Sequence, residues 1–228
     1  MQRRNILKAL SAVVTSAALV ASFGAHADDK VIKVGTISGP DAQIWAVVQK
    51  VAQREGLNVK VIEFNDYVQP NAALDAGDLD ANSFQHQPYL DSQVKQRGYK
   101  IVSAGLTYIS PLGIYSKKFK SLKDLPQGAK VAVPNDPSNE SRALLLLQAQ
   151  GVIKLKAGAG TNGNSATPLD VADNPKKVKL VELDAAQLPR SLSDVDAAAI
   201  NTNYALPVAC SRPKMRSHSR TSTARTRT

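Results

Sequence analysis

The sequence predicts an α/β fold built in two units. Strand-like and helix-like runs alternate along residues 31–200, the mark of helices packed on a mostly parallel sheet. The first segments come in the order strand, turn, helix, strand, which places binding loops at the C-terminal ends of the strands. A join at Ser110-Pro111 makes two units a better fit than one large sheet, the second running over roughly 111–200.

Val31-Ile32-Lys33-Val34-Gly35-Thr36-Ile37 alternates and is β-branched, so it reads as the first strand. Ser38-Gly39-Pro40-Asp41 is a turn and cap. Ile44, Trp45, Val47, Val48 and Val51 come next at helical spacing, up to Glu55-Gly56, and Trp45 belongs to that apolar, core-facing stripe. Residues 57–64 form the second strand, 68–76 hold a helix, 80–84 a short strand and 88–97 a helix. A strand is expected through 98–108 and another at 112–115, then a short helical turn within 121–126. Lys130-Val131-Ala132-Val133 is a strong strand, and Ser138 or Asn139 is positioned to cap a leucine-rich helix over 140–150. After a Gly/Asn-rich loop at 157–166, the pattern predicts helix over 168–173, strand over 178–183, helix over 186–192 and a small-residue strand over 197–200. No repeat of solenoid type is present.

The chain of 228 residues is 43% hydrophobic and 21% charged, ordinary globular material. Its net charge of +10 comes from the ends. Nine of the 29 basic residues lie in 1–27 and 206–228, which carry no acid, so the body holds 20 basic against 19 acidic residues. A nearly neutral body gives no support to nucleic-acid binding. Arg3 and Arg4, the apolar stretch 9–23 and the small-x-small Ala25-His26-Ala27 read as a cleaved export signal over 1–27. No cysteine stands near the cleavage point to take a lipid, and the one cysteine, Cys210, rules out a disulfide framework. Residues 211–228 contain one methionine and no Leu, Ile, Val or aromatic, too little apolar surface to fold. A frame change or gene-model error is the preferred reading of this 206–228 tail over a nucleic-acid arm, and it is expected to be disordered.

Asn82-Ser83-Phe84-Gln85-His86-Gln87-Pro88-Tyr89-Leu90 gathers three ring-bearing side chains within six residues, although aromatics are only 5% of the chain. Asn135-Asp136-Pro137-Ser138-Asn139-Glu140-Ser141-Arg142 and Ile200-Asn201-Thr202-Asn203-Tyr204 are polar turns able to complete a cleft for a small amphipathic solute. An aromatic core cluster beside two unrelated turns is the plainer alternative. Catalysis finds little support: there is no phosphate loop, no Ser/His/Asp order with elbow glycines and no usable cysteine nucleophile. With His86 the only histidine between His26 and His218, a multi-histidine metal site is not available and no cofactor is expected.

Four motifs then carry a resemblance. Phe84-Gln85-His86-Gln87-Pro88-Tyr89-Leu90, Val133-Pro134-Asn135-Asp136-Pro137-Ser138-Asn139, Gln187-Leu188-Pro189-Arg190-Ser191-Leu192 and Ala199-Ile200-Asn201-Thr202-Asn203-Tyr204-Ala205 resemble, in order over about 31–205, the methionine-binding NlpA/MetQ substrate-binding proteins of ABC importers. The resemblance implies a two-lobed, type II-like periplasmic binding protein with lobes joined by a hinge. Lobe 1 would span 28–110, lobe 2 111–200, and 201–205 would cross back. It implies capture of methionine in the periplasm for a membrane permease and its ATPase, and no enzyme activity. Another small amino acid or a methionine peptide is the alternative ligand; a non-functional product of a disrupted gene is the alternative of another class. Many relatives are lipoproteins, whereas this chain looks like a soluble version. Relatives continue past the equivalent of Ala205 with a stretch that completes the first lobe, so the C-terminal part of the fold is expected to be missing here.

For an amino-acid ligand the roles divide by chemistry. Arg142, the only arginine between 98 and 189, can hold a carboxylate through paired hydrogen bonds, or can be a solvated surface charge. Asn139 and Asn201 suit the uncharged polar contacts of a zwitterion, or serve as cap and turn. Tyr67, Phe84, His86 and Tyr89 would enclose a thioether, with His86 otherwise a packed core histidine.

Overall fold

The computed structural model describes residues 30–161 and 163–209. Its elements assemble two separate sheets. The first is parallel, in the order β2-β1-β3, with β1 at Ile32–Ile37, β2 at Val59–Phe64 and β3 at Ala81–Asn82. The second has the order β4-β9-β5-β8, with β4 at Leu112–Tyr115, β5 at Lys130–Pro134, β8 at Lys179–Leu183 and β9 at Ala197–Asn201. Here β5 runs parallel to both neighbours, and β4 pairs antiparallel with β9. A two-stranded ribbon joins β6 at Lys154–Leu155 to β7 at Val171–Asp173. The helices are α1 at Pro40–Arg54, α2 at Gln69–Asp75, α3 at Gln87–Arg97, α4 at Pro137–Ala149, α5 at Leu188–Ser191 and α6 at Thr202–Ala209. None of the described helices is long and apolar enough to cross a membrane.

Proline in the first turn sets the start of α1, α3 and α4, where its fixed φ is helical and its missing N–H is no loss. Gly98, in the left-handed region at φ 74°, ends α3, a conformation that costs a glycine least. The cap of α4 is Asp136, whose carboxylate accepts from Asn139 N at 2.9 Å; Ser138 and Asn139, the expected caps, lie inside the first turn.

Four further expectations give way. No strand forms over 98–108. That stretch finds no partner strand among the described residues, and Val102, Leu106 and Ile109 are at least three-quarters exposed. Residues 168–173 are not one helix: a 3-10 turn at Pro168–Asp170 leads into β7, which pairs with the unforeseen β6. The apolar stripe of α1 is only partly covered. Trp45 and Ala52 pack on Val34 and Val59, but Ile44, Val47, Val48 and Val51 stay exposed. Residues 206–209 continue α6 instead of starting a disordered tail; the expectations for 1–27 and 210–228 fall outside the described residues.

The main core lies under the second sheet. Leu144, Leu146 and Leu147 of α4 sit with Val131 and Val133 of β5, Ile114 of β4 and Ala199 of β9, all nearly inaccessible. This explains the leucine run: α4 is wrapped on most sides, so it carries no wide polar face. The chain passes between the sheets at 110–111 and again at 201–202. There Thr202 donates from both N (3.1 Å) and Oγ1 (2.6 Å) to the Pro111 carbonyl.

Leu144 has no exposed surface, so Leu144→Ala leaves a cavity and is expected to lower stability by about 2–5 kcal/mol. Urea titration should show an earlier midpoint with an unchanged slope.

Candidate functional site

Two walls meet where α3 packs against α4. The first is aromatic and comes from the loops after β2 and β3. The rings of Tyr67, Phe84 and Tyr89 form a triangle with all three centroid separations at 5.9 Å. Edge-on and tilted contacts of this kind suit aromatic quadrupoles. Tyr89 is almost fully buried and its hydroxyl donates to the Tyr67 carbonyl at 2.9 Å. His86 stacks on Tyr89 at 6.4 Å.

Behind this wall is a layer of amides. Fully buried Asn71 donates from Nδ2 to Gln85 Oε1 (2.8 Å), and its Oδ1 accepts from Gln85 Nε2 (2.8 Å) and Asn82 Nδ2 (2.9 Å). These bonds tie α2, β3 and the Phe84–His86 turn together, so the aromatic residues project from a braced loop.

The second wall is polar and comes from the N-terminus of α4 and the end of β9. Arg142 donates from Nη1 to Asn139 Oδ1 (2.9 Å) and from Nη2 to the Ser110 carbonyl (3.1 Å). Asn201 donates from Nδ2 to the same Asn139 Oδ1 (3.0 Å). Asn139 in turn donates from Nδ2 to Asp136 Oδ1 and Oδ2 at 3.0 and 2.9 Å. Burial lowers the Arg142 pKa from its ordinary value, against the fields of Tyr67 and Asp136.

The two walls influence each other. Burial, with the charge of Arg142 second, pushes the His86 pKa down to about 4, against the opposing field of Asp136; the imidazole is neutral at neutral pH. Its Nε2 is buried without a hydrogen-bond partner, as are Asn201 Oδ1 and Asn203 Nδ2. Buried polar atoms are rarely left unpaired, and here three cluster where the walls converge. All seven candidates therefore lie in this region: Tyr67, Phe84, His86 and Tyr89 on one wall, Asn139, Arg142 and Asn201 on the other.

Sequence reasoning quoted Asn203 and Tyr204 within a motif but gave neither a role of its own. Asn203 is buried, and its Oδ1 accepts from Tyr67 OH at 2.6 Å. The ring of Tyr204 lies 5.0 Å from that of Tyr67, and its hydroxyl donates to the Asn65 carbonyl at 3.1 Å. Asn203 and Tyr204 stand beside Asn201 in one motif, but only the fold shows that they reach back to the loop after β2.

This chain matches the NlpA lipoprotein family model over residues 32–221. The chain belongs to the NlpA lipoprotein family. The D-methionine-binding lipoprotein MetQ of Salmonella typhimurium is 54% identical to it over 200 residues, which cover 86% of this chain and 73% of that relative. Among solved structures, a nutrient binding protein from Burkholderia cenocepacia bound to methionine is 79% identical, with a TM-score of 0.80 over 84% of this chain and 80% of the other. A periplasmic substrate-binding protein of an ABC transporter from Coxiella burnetii is 55% identical, with a TM-score of 0.77 over 82% and 79%. In this NlpA chain the aromatic turn and the α4 cap fall within the matched span.

A titrating group lies just beneath the polar wall. Glu140 of α4 is 7% exposed and its Oε1 is buried without a partner. Burial first, then the charge and hydrogen bond of Glu182 and the charge of Asp136, push its pKa up from 4.5 to about 7. The folded state thus binds this proton more tightly than the unfolded chain, and stability must fall as pH rises through the interval between the two values. His86, lowered from 6.5 to about 4, acts in the opposite sense over nearly the same interval, so the comparison must be with a variant. From about pH 4.5 to 7 the urea midpoint of the parent should fall relative to that of Glu140→Gln; parallel profiles would refute the assignment.

Proposed function

We propose that this chain is the substrate-binding component of an ABC importer that captures methionine in the periplasm and delivers it to a membrane permease and its ATPase. The observation that carries the reading is the methionine-bound Burkholderia cenocepacia protein, 79% identical to this chain. An export signal over 1–27, read from Arg3, Arg4 and the apolar stretch after them, fits the periplasmic side. Binding, not bond-breaking, is the activity.

In this reading the ligand lies between the two walls, and the chain crossings at 110–111 and 201–202 act as the hinge that closes them. Arg142 takes the carboxylate, for which a planar guanidinium offers paired donors. Asn201 faces the ammonium. Tyr67, Phe84, His86 and Tyr89 enclose the thioether, where sulfur against an aromatic ring gains about 0.3–1.5 kcal/mol per contact. A neutral His86 suits this role, since a charged imidazolium would hold water against the apolar end of the ligand.

Calorimetry with L- and D-methionine tests the assignment. The parent should bind at least one enantiomer saturably. Arg142→Ala should weaken binding about 10- to 150-fold, the value of hydrogen bonds to a charged group. Norleucine, with a methylene in place of sulfur, should bind up to about tenfold more weakly than methionine. Folded parent protein that binds neither enantiomer overturns the proposal.

A further inference from the structure

The acceptor oxygen of Asn139 is already committed to two protein partners. A carboxamide carries two N–H donors and two acceptor positions. Here Nδ2 donates to both oxygens of Asp136 (3.0 and 2.9 Å), and Oδ1 accepts from Arg142 Nη1 (2.9 Å) and Asn201 Nδ2 (3.0 Å). The side chain is 2% exposed. Its orientation admits no alternative, because a carboxylate offers acceptors and a guanidinium only donors. The nitrogen must face Asp136 and the oxygen must face Arg142.

That constraint passes on to Asn201. Because Asn139 presents an oxygen, Asn201 must present Nδ2 to it, and its own Oδ1 is left over. That oxygen is buried and unpartnered, in a residue 7% exposed. An orphaned acceptor in such a place is costly in the free protein, and it matches a ligand group rich in donors. An ammonium brings three N–H bonds and a positive charge; a carboxylate would be repelled.

We propose that Asn139 is a positioning residue. It locks the Asn201 amide so that Oδ1 stands ready as the acceptor for the α-ammonium group. This rests on the methionine reading above. It also separates the two halves of head-group recognition: Arg142 reads the carboxylate, and the Asp136–Asn139–Asn201 relay reads the amine.

The test compares L-methionine with 4-(methylthio)butanoate, which keeps the carboxylate and the thioether but lacks the amine. The readout is the ratio of their dissociation constants, measured calorimetrically on the full chain. The parent should favour methionine by at least about tenfold, as expected for a charge-assisted hydrogen bond. Asn201→Ala should bring the ratio close to one. Asn139→Ala, which keeps Arg142 and the Asp136 contact to the backbone N of residue 139, should lower the ratio at least about fivefold. The double variant should lower it no further than Asn201→Ala alone, since the two residues act in series. Where Asn139→Ala does not fold, Asn139→Ser, whose side chain is too short to bridge Asp136 and Asn201, carries the same expectation. Equal weakening for both ligands, with the ratio unchanged in the Asn139 variants, overturns the positioning role and leaves the methionine reading standing. A folded parent that does not bind methionine overturns both.

Discussion

The carbonyl of Pro111 holds the two chain crossings together. It accepts two hydrogen bonds from Thr202, one from the backbone and one from the hydroxyl. Together with the β4–β9 pairing of Leu112 with Asn201, it pins the segment leaving the first sheet and the segment returning to it side by side. The placement of side chains along the returning strand depends on this registry. Asn201, one residue before the pin, points its amide to Asn139. Asn203 and Tyr204, just after it, meet Tyr67 and Asn65. A few consecutive residues thus touch both walls of the cleft, and a small rotation about the crossings changes the gap between them. In the proposed importer reading these two crossings are the hinge about which the two walls open and close.

The polar wall depends on satisfaction passed from group to group. Asp136 caps α4 through Asn139 N and holds the Asn139 amide as well; Asn139 then orients Arg142 and Asn201. The chain of bonds ends at the unpartnered Asn201 Oδ1. The aromatic wall obeys the same rule with different residues, through Asn71, Asn82 and Gln85. Networks of this kind fix one geometry because partial satisfaction inside a low-dielectric region is so unfavourable.

Much of this was legible in the sequence, for identifiable reasons. Strands β1, β5 and β9 carry alternating or small apolar residues with clear turn signals, and the order of elements forces a mainly parallel arrangement. The aromatic turn at Phe84–Tyr89 stood out because rings are scarce elsewhere in the chain. The features that the pattern missed were set by tertiary partners. The run over 98–108 has strand composition but pairs with no described strand, so propensity alone could not make it one. The 168–173 segment has helical signals at Pro168–Asp170, yet pairing with Lys154–Leu155 turns its second half into an edge ribbon. Asn203 and the Asn71 amide layer carry no local signature. Their roles come from contacts many residues away, such as Tyr67 to Asn203, and from atoms left unpaired, which only a fold displays.

The two sheets are unequally underpinned. The four-stranded sheet rests on the large cluster around Leu144 and Leu147, whereas among the described residues the cluster on the three-stranded sheet is the smaller one of Val34, Ala52 and Val59 with Ile32, Trp45 and Val61 packed against it, and most of the α1 stripe is open. Free energies of local opening track such differences in burial, so backbone amides of β1–β3 exchange with solvent through smaller-barrier fluctuations than those of β5 and β9. The aromatic wall is mounted on this softer half and the charged wall on the harder one. In the proposed reading, closure on a ligand moves the half bearing Tyr67, Phe84 and His86 against the more deeply buried α4 framework.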